Sequence, residues 1–160
     1  MELRHAAPAD AEAAARLEAA CFPAAEGASL ASIRARIAAF PDHFWLLFDG
    51  GQLVCMVNGM VTDLPDLTDE MYDNAGLHRE AGAWQMIFSV ATDPARQKQG
   101  LAEQVLRQVI ADARAQGRKG LVLTCKDRLV HYYAKLGFVS EGLSRSDHGG
   151  AVWYQMRLTF

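Results

Sequence analysis

The chain has 160 residues, 51% of them hydrophobic and 22% charged, with a net charge of −3 at neutral pH. That is enough chain for the core of one domain over residues 1–160. The acidic balance argues against nucleic-acid binding, which needs a basic face, and no apolar run reaches membrane-spanning length. Three cysteines, Cys21, Cys55 and Cys125, are odd in number and far apart, and the opening Met1-Glu2-Leu3-Arg4-His5 does not read as a signal peptide. These features predict a reducing, cytoplasmic setting without a disulfide framework. With no Cys-x-x-Cys pair and no ligand-spaced histidine cluster, no metal is expected.

Glu2 to Ala6 reads as a short strand, and Pro8 and Asp10 open an alanine-rich helix to about Cys21. A loop through Pro23 and Glu26 leads to Ser29, the predicted N-cap of a second helix with Ile33, Ile37 and Phe40 at helical spacing. Phe44 to Phe48 and Gln52 to Val61 form a hairpin across Asp49-Gly50-Gly51. Asp63 to Gly82 is an acidic, turn-rich excursion with a short helix expected near Asp69 to Ala75, and Trp84 to Thr92 is the central strand. Gly100 to Gln116 is the long amphipathic helix, with Leu101, Val105, Leu106, Val109, Ile110 and Ala113 on one broad face and Gly117 as its cap. Gly120 to Cys125 is a buried strand, Arg128 to Leu136 a short helix, Phe138 to Gly142 a strand, and Ala151 to Leu158 the last strand. Hairpins followed by two strands joined across a helix predict an α/β (α+β) domain. Its central sheet would be mixed, mostly antiparallel and twisted, and flanked by helices.

The stretch Thr92-Asp93-Pro94-Ala95-Arg96-Gln97-Lys98-Gln99-Gly100-Leu101-Ala102 joins the central strand to the long helix. Backbone N–H groups at a helix start have no internal partner and sit at the positive end of the dipole, which suits a pyrophosphate. Gly100 allows close approach, and Arg96 and Lys98 add positive charge. No Gly-Lys-Ser/Thr follows, so this is not a Walker loop, and the three-glycine dinucleotide fingerprint is absent.

Strand, Gln97-x-x-Gly100-x-Ala102, long helix, strand and then Tyr132-Tyr133-Ala134-Lys135-Leu136-Gly137-Phe138 together resemble the GNAT N-acetyltransferase superfamily. Leu123-Thr124-Cys125-Lys126-Asp127-Arg128-Leu129-Val130 looks most like the arylalkylamine N-acetyltransferases and their bacterial relatives. The resemblance implies the GNAT fold with acetyl-CoA as cosubstrate. Val90, Ala91 and Thr92 would bond the pantetheine arm through their backbone. Amides of Gln97, Lys98, Gln99, Gly100, Leu101 and Ala102 would cradle the pyrophosphate, and Tyr132 would pack against the cofactor. It further implies direct transfer to a small primary amine in a ternary complex, and a family in which homodimers are common.

Transfer from a thioester to an amine needs a neutral nitrogen and a proton for the departing thiolate, each acid–base contribution being worth about 10²- to 10⁴-fold. Tyr133 aligns with the family's tyrosine near the sulfur and is the candidate acid. Glu26 is a candidate base, with His148 or bound waters as alternatives. Met86 and Phe88 stand where vertebrate relatives carry two strand histidines. Cys125 has no histidine beside it in sequence and is not expected to form an acyl-enzyme. The acidic residues between Asp63 and Glu80 read as a solvated face that could also attract an ammonium. A peptide acceptor, or an acyl-CoA-binding module without turnover, are the competing expectations.

Overall fold

The computed structural model describes all of residues 1–160. In chain order the elements are β1 (Glu2–His5), α1 (Ala11–Cys21), α2 (Leu30–Ala39), β2 (Phe44–Asp49), β3 (Gln52–Asn58), β4 (Val61–Thr62), α3 (Asp69–Asp73), β5 (Trp84–Ile87), β6 (Ser89–Thr92), α4 (Leu101–Ala115), β7 (Gly120–Cys125), α5 (Val130–Ala134), β8 (Val139–Leu143) and β9 (Tyr154–Thr159). One sheet runs β1-β2-β3-β6 and the other β4-β5-β7-β9-β8. Every pairing is antiparallel except β5 with β7, which α4 joins as a parallel crossover. The mixed, mostly antiparallel architecture expected from the sequence is therefore present.

The local reasons are those the sequence advertises. Ser29 caps α2, its hydroxyl accepting from the Ser32 amide at 3.2 Å. Leu101, Val105, Leu106, Val109 and Ala113 of α4 are buried, covering β3 and β7 in one apolar cluster. A second cluster lies between α1, α2 and the other face of β2 and β3. Gly117, at φ 78°, takes the left-handed turn that ends α4.

The last strand begins at Tyr154 rather than Ala151, and a larger departure concerns two of the other expected strands. The predicted strand Trp84 to Thr92 is two strands in different sheets, broken at Phe88, and the predicted Gln52 to Val61 breaks at Gly59-Met60. The two breaks face each other: the Phe88 amide donates to Asn58 O at 2.7 Å and the Met86 amide to Met60 O at 2.8 Å. A side chain at Gly59 would overlap the Met86 carbonyl, so only glycine permits this approach. The paired break moves both chains from one sheet to the other. It leaves the β6 edge opposite β3 without a strand partner, beside β7.

Candidate active site

Where β6 and β7 part, a cavity of about 320 Å³ opens between them. Its walls take residues from the strand break (Ile87, Phe88, Ser89, Val90), from β7 (Leu123, Thr124, Cys125) and from α1 and α2 (Glu18, Arg36). Tyr133, Glu26 and His148, three residues singled out from sequence, all line it.

Tyr133 stands on α5 with 6% of its surface exposed. Tyr132 meets it edge-on at 5.2 Å between ring centroids. Burial, with the neighbouring Cys125 thiol and Tyr132, pushes the Tyr133 phenol far up, so it is a protonated donor at neutral pH. Burial likewise raises the Cys125 thiol to about 11, which leaves little thiolate for nucleophilic attack.

Four segments distant in sequence meet at the cavity's rim. The Glu26 carboxylate is held by Lys126 Nζ at 2.9 and 3.1 Å. The Glu26 backbone carbonyl accepts from His148 Nε2 at 2.7 Å. The His148 ring stacks on Tyr72 with centroids 4.6 Å apart and planes 10° from parallel, while Trp153 Nε1 donates to His148 O at 2.9 Å. Asp69, at the start of α3, accepts from Ser146 Oγ and from the Asp147 amide. A carbonyl can only accept, so Nε2 of His148 carries the hydrogen and the neutral ring keeps its lone pair on Nδ1.

The sequence did not single out Glu18 or Arg36, which are 2% and 3% exposed. Glu18 Oε2 accepts from the Ala28 amide at 2.9 Å and from Ser89 Oγ at 3.1 Å. Burial raises its carboxyl above the usual range against those bonds and the Arg36 charge. A signal existed for both. Arg36 falls at helical spacing within the stripe Ile33, Ile37, Phe40, and Glu18 follows Ala11 and Ala14 on the inward face of α1. A charge inside an apolar stripe is a buried charge.

On the other side of the β6 end lies the strand-to-helix loop. Gly100 is left-handed at φ 77° and Lys98 takes φ 63°, the one non-glycine residue with positive φ. None of the amides from Gln99 to Glu103 donates to an acceptor within the protein. A side chain built at Gly100 would meet nothing within 4 Å, so the mouth of this amide cluster is open, as an anion nest requires. Arg96 is engaged with Asp49 at 2.9 Å and with Gln99, whereas Lys98 is exposed. Val90 lines the cavity, Ala91 is buried against the helices, and the Thr92 carbonyl accepts from Cys21 Sγ at 3.1 Å.

One group could suggest a metal: His43, His78 and Glu80 bring potential ligand atoms within 4.8 Å of one another. The tautomers argue otherwise. His78 Nδ1 accepts from the Val61 amide at 3.0 Å, which leaves its hydrogen on Nε2, pointed at Glu80 Oε1 at 3.0 Å. Arg118 Nη2 also reaches Glu80, at 3.1 Å. This is an ion-pair cluster around one carboxylate.

Residues 11–138 match the acetyltransferase (GNAT) family. Glucosamine 6-phosphate N-acetyltransferase 1 of Oryza sativa subsp. japonica is 32% identical over 65 residues. Those residues are 41% of this chain and 39% of that protein, so the match spans about two-fifths of the curated relative. Among solved structures, the GphF GNAT-like decarboxylase in complex with isobutyryl-CoA superimposes with a TM-score of 0.86 at 23% identity, covering 99% of both chains. The loading GNATL domain of CurA from Lyngbya majuscula gives 0.84 at 18%, covering 99% of this chain and 96% of that one. With the family matched from α1 to the start of β8 and the same fold in both structures, the chain belongs to the GNAT acetyltransferase family.

Proposed function

We propose that the protein is an acyl-CoA-dependent N-acyltransferase that moves an acetyl group from acetyl-CoA to a small primary amine, by direct attack in a ternary complex. The observation that carries this reading is the placement of a protonated, buried Tyr133 and the free-edged β6 on one cavity, with the open amide cluster of Gln97 to Ala102 at the far end of that strand. The pyrophosphate would lie on those amides and the pantetheine arm along Val90, Ala91 and Thr92, bringing the thioester to Tyr133. Tyr132, edge-on to Tyr133, would border the cofactor. The limited volume favours a small acceptor, of the arylalkylamine kind suggested by the Leu123 to Val130 stretch, over an extended peptide.

In this mechanism the acceptor ammonium loses its proton to His148 Nδ1, and the amine attacks the thioester carbonyl. The C–S bond breaks, Tyr133 gives its proton to the departing thiolate, and the second proton of the attacking nitrogen passes to the Tyr133 phenolate. Glu26 acts as the orienting group: its carbonyl fixes the His148 tautomer, and its carboxylate anchors Lys126 on the rim. The test is acetyl-CoA-dependent product formation, read by mass spectrometry, across arylalkylamines, polyamines, amino acids and peptides. One amine class should be acetylated, and Tyr133→Phe should lower kcat by about 10²-fold with acyl-CoA binding retained. Binding of acetyl-CoA with no product from any acceptor would overturn the reading.

A second reading is favoured by one observation, the buried cation Arg36 on the cavity wall. GphF is described as a decarboxylase, and a CoA thioester bearing a carboxylate on the carbon beside its carbonyl would suit such a cation. There the C–C bond would break, CO₂ would leave, and the thioester enolate would take up a proton. Acetyl-CoA formed from malonyl-CoA with no amine present would support it.

A further inference from the structure

We infer that Arg36 forms a carboxylate-binding subsite on the wall of the cavity, so that one of the two reacting molecules carries a carboxylate. The inference deepens the proposed reading and rests on it only for where the thioester lies.

The guanidinium is almost fully buried, and every bond it makes goes to a neutral acceptor. Nη1 donates to Asn58 Oδ1 at 3.0 Å and Nη2 to Tyr72 O at 3.1 Å. One face lies over the Phe88 ring at 4.8 Å. Nε has no partner, and neither does Nδ2 of Asn58. No carboxylate stands within ion-pair distance of Arg36. Glu18 and Asp73, which also line the cavity, influence it only through space; Glu18 Oε2 is taken by Ala28 and Ser89, and its Oε1 has no partner.

A buried charge without a counter-ion is costly, and the unpartnered Nε–H is donor capacity that no protein acceptor uses. A guanidinium is planar and presents its remaining N–H groups in one plane, which matches a planar carboxylate. The phosphates of a CoA ester already have their own donors at the start of α4. The carboxylate could therefore come from the acceptor, as in an α-amino acid, or from the acyl group, as in a dicarboxylic monothioester.

The two sources separate by calorimetric titration of the full chain. In the donor arm, malonyl-CoA and succinyl-CoA are compared with the near-isosteric butyryl-CoA and valeryl-CoA. In the acceptor arm, phenylalanine and tyrosine are compared with phenethylamine and tyramine, with CoA bound. The carboxylated probe in one arm should bind about 10- to 100-fold tighter than its neutral partner. Arg36→Gln should erase that preference while moving the neutral probe by less than about twofold. Arg36→Lys, which keeps the charge without the fork, should retain only part of it, and it replaces Arg36→Gln if circular dichroism shows that variant unfolded. No preference in either arm of the wild-type protein, or a preference that persists in the variants, overturns the inference. Because the readout is binding, a protein that transfers no acetyl group still answers the question.

Discussion

At His148 a single hydrogen bond decides which ring nitrogen is available for chemistry. The Glu26 carbonyl takes the Nε2 hydrogen, Tyr72 holds the ring plane, and Nδ1 is left as the acceptor. A glutamine at this position keeps the amide donor toward Glu26 but has no basic nitrogen. We expect His148→Gln to lower kcat by about 10²-fold at neutral pH with acyl-CoA affinity unchanged. The variant should then regain activity as pH rises, because the amine's own deprotonation replaces the missing base. A loss that stays constant across pH, or one that appears in acyl-CoA binding, would remove His148 from the proton path. How much of this could be read beforehand differs by residue. Tyr133 and the Gln97 to Ala102 loop were legible because local motifs mark them, and Glu26 and His148 were named among alternatives. The Lys126 partner of Glu26 was not, since that bond joins positions 100 residues apart and no local pattern encodes such a contact.

The strand-to-helix loop works as an element, through backbone rather than side chains. Its unpaired amides exist because Gly100 turns left-handed directly ahead of α4, pointing the first turn outward instead of capping it with a side chain. Gly100→Val should cost about 1–2 kcal/mol of stability for the strained φ, although no neighbouring atom would clash with its first side-chain carbon. Its larger effect should be on the cosubstrate, because the added methyl groups would stand over the amides. The expected outcome is a KM for acetyl-CoA raised by about tenfold or more with kcat little changed, which separates lost cofactor binding from lost chemistry. An unchanged KM would show that the pyrophosphate lies elsewhere. The same scale explains the main departure from the sequence reading. Trp84 to Thr92 has continuous strand character, and nothing within it says that its two halves serve different sheets. The information is non-local: Gly59, on another strand, is the residue whose missing side chain lets the Met86 carbonyl approach.

Across the whole molecule, the acidic excursion is anchored by a cluster that ties both sheets together. Glu80 receives His43 from the turn before β2, His78 from its own segment and Arg118 from the turn before β7. His43 also meets Gln85 Oε1 of β5 through Nδ1 at 2.9 Å. The Gln85 amide nitrogen donates to the carbonyls of Gly59, Met60 and Met86, so its oxygen is an acceptor. Both nitrogens of the His43 ring thus face oxygens that accept. Arg118 further donates to the backbone of Glu80 and Gly82, and the excursion so held carries Tyr72 to the cavity wall. The sequence suggested that these acids form a solvated face, and for Glu80 that is half right. Its side chain is 66% exposed, yet it is the partner of His43 and the counter-ion of Arg118, whose side chains are 0% and 6% exposed. Glu80→Gln should cost about 1–3 kcal/mol, the penalty of leaving buried donors poorly paired, or roughly 2–4 °C of Tm per kcal/mol for a domain of this size. The pH dependence has a definite sign. Desolvation works to raise the Glu80 carboxyl, but the bonds from His43 and His78 outweigh it and hold it below its usual 4.5. A depressed carboxyl stabilises the fold above its unfolded pKa and loses that contribution as pH falls through the folded value. His78, lowered from 6.5 chiefly by burial, adds a loss of the same direction that begins below pH 6.5. Melting curves from pH 7 to pH 3 should therefore show wild-type Tm declining below about 6.5 and more steeply below 4.5. The gap to Glu80→Gln should be full at neutrality and close as Glu80 takes up its proton. A gap that stays constant to pH 3 would mean that the carboxylate's charge contributes nothing, and that the two sheets are held at this end by packing alone.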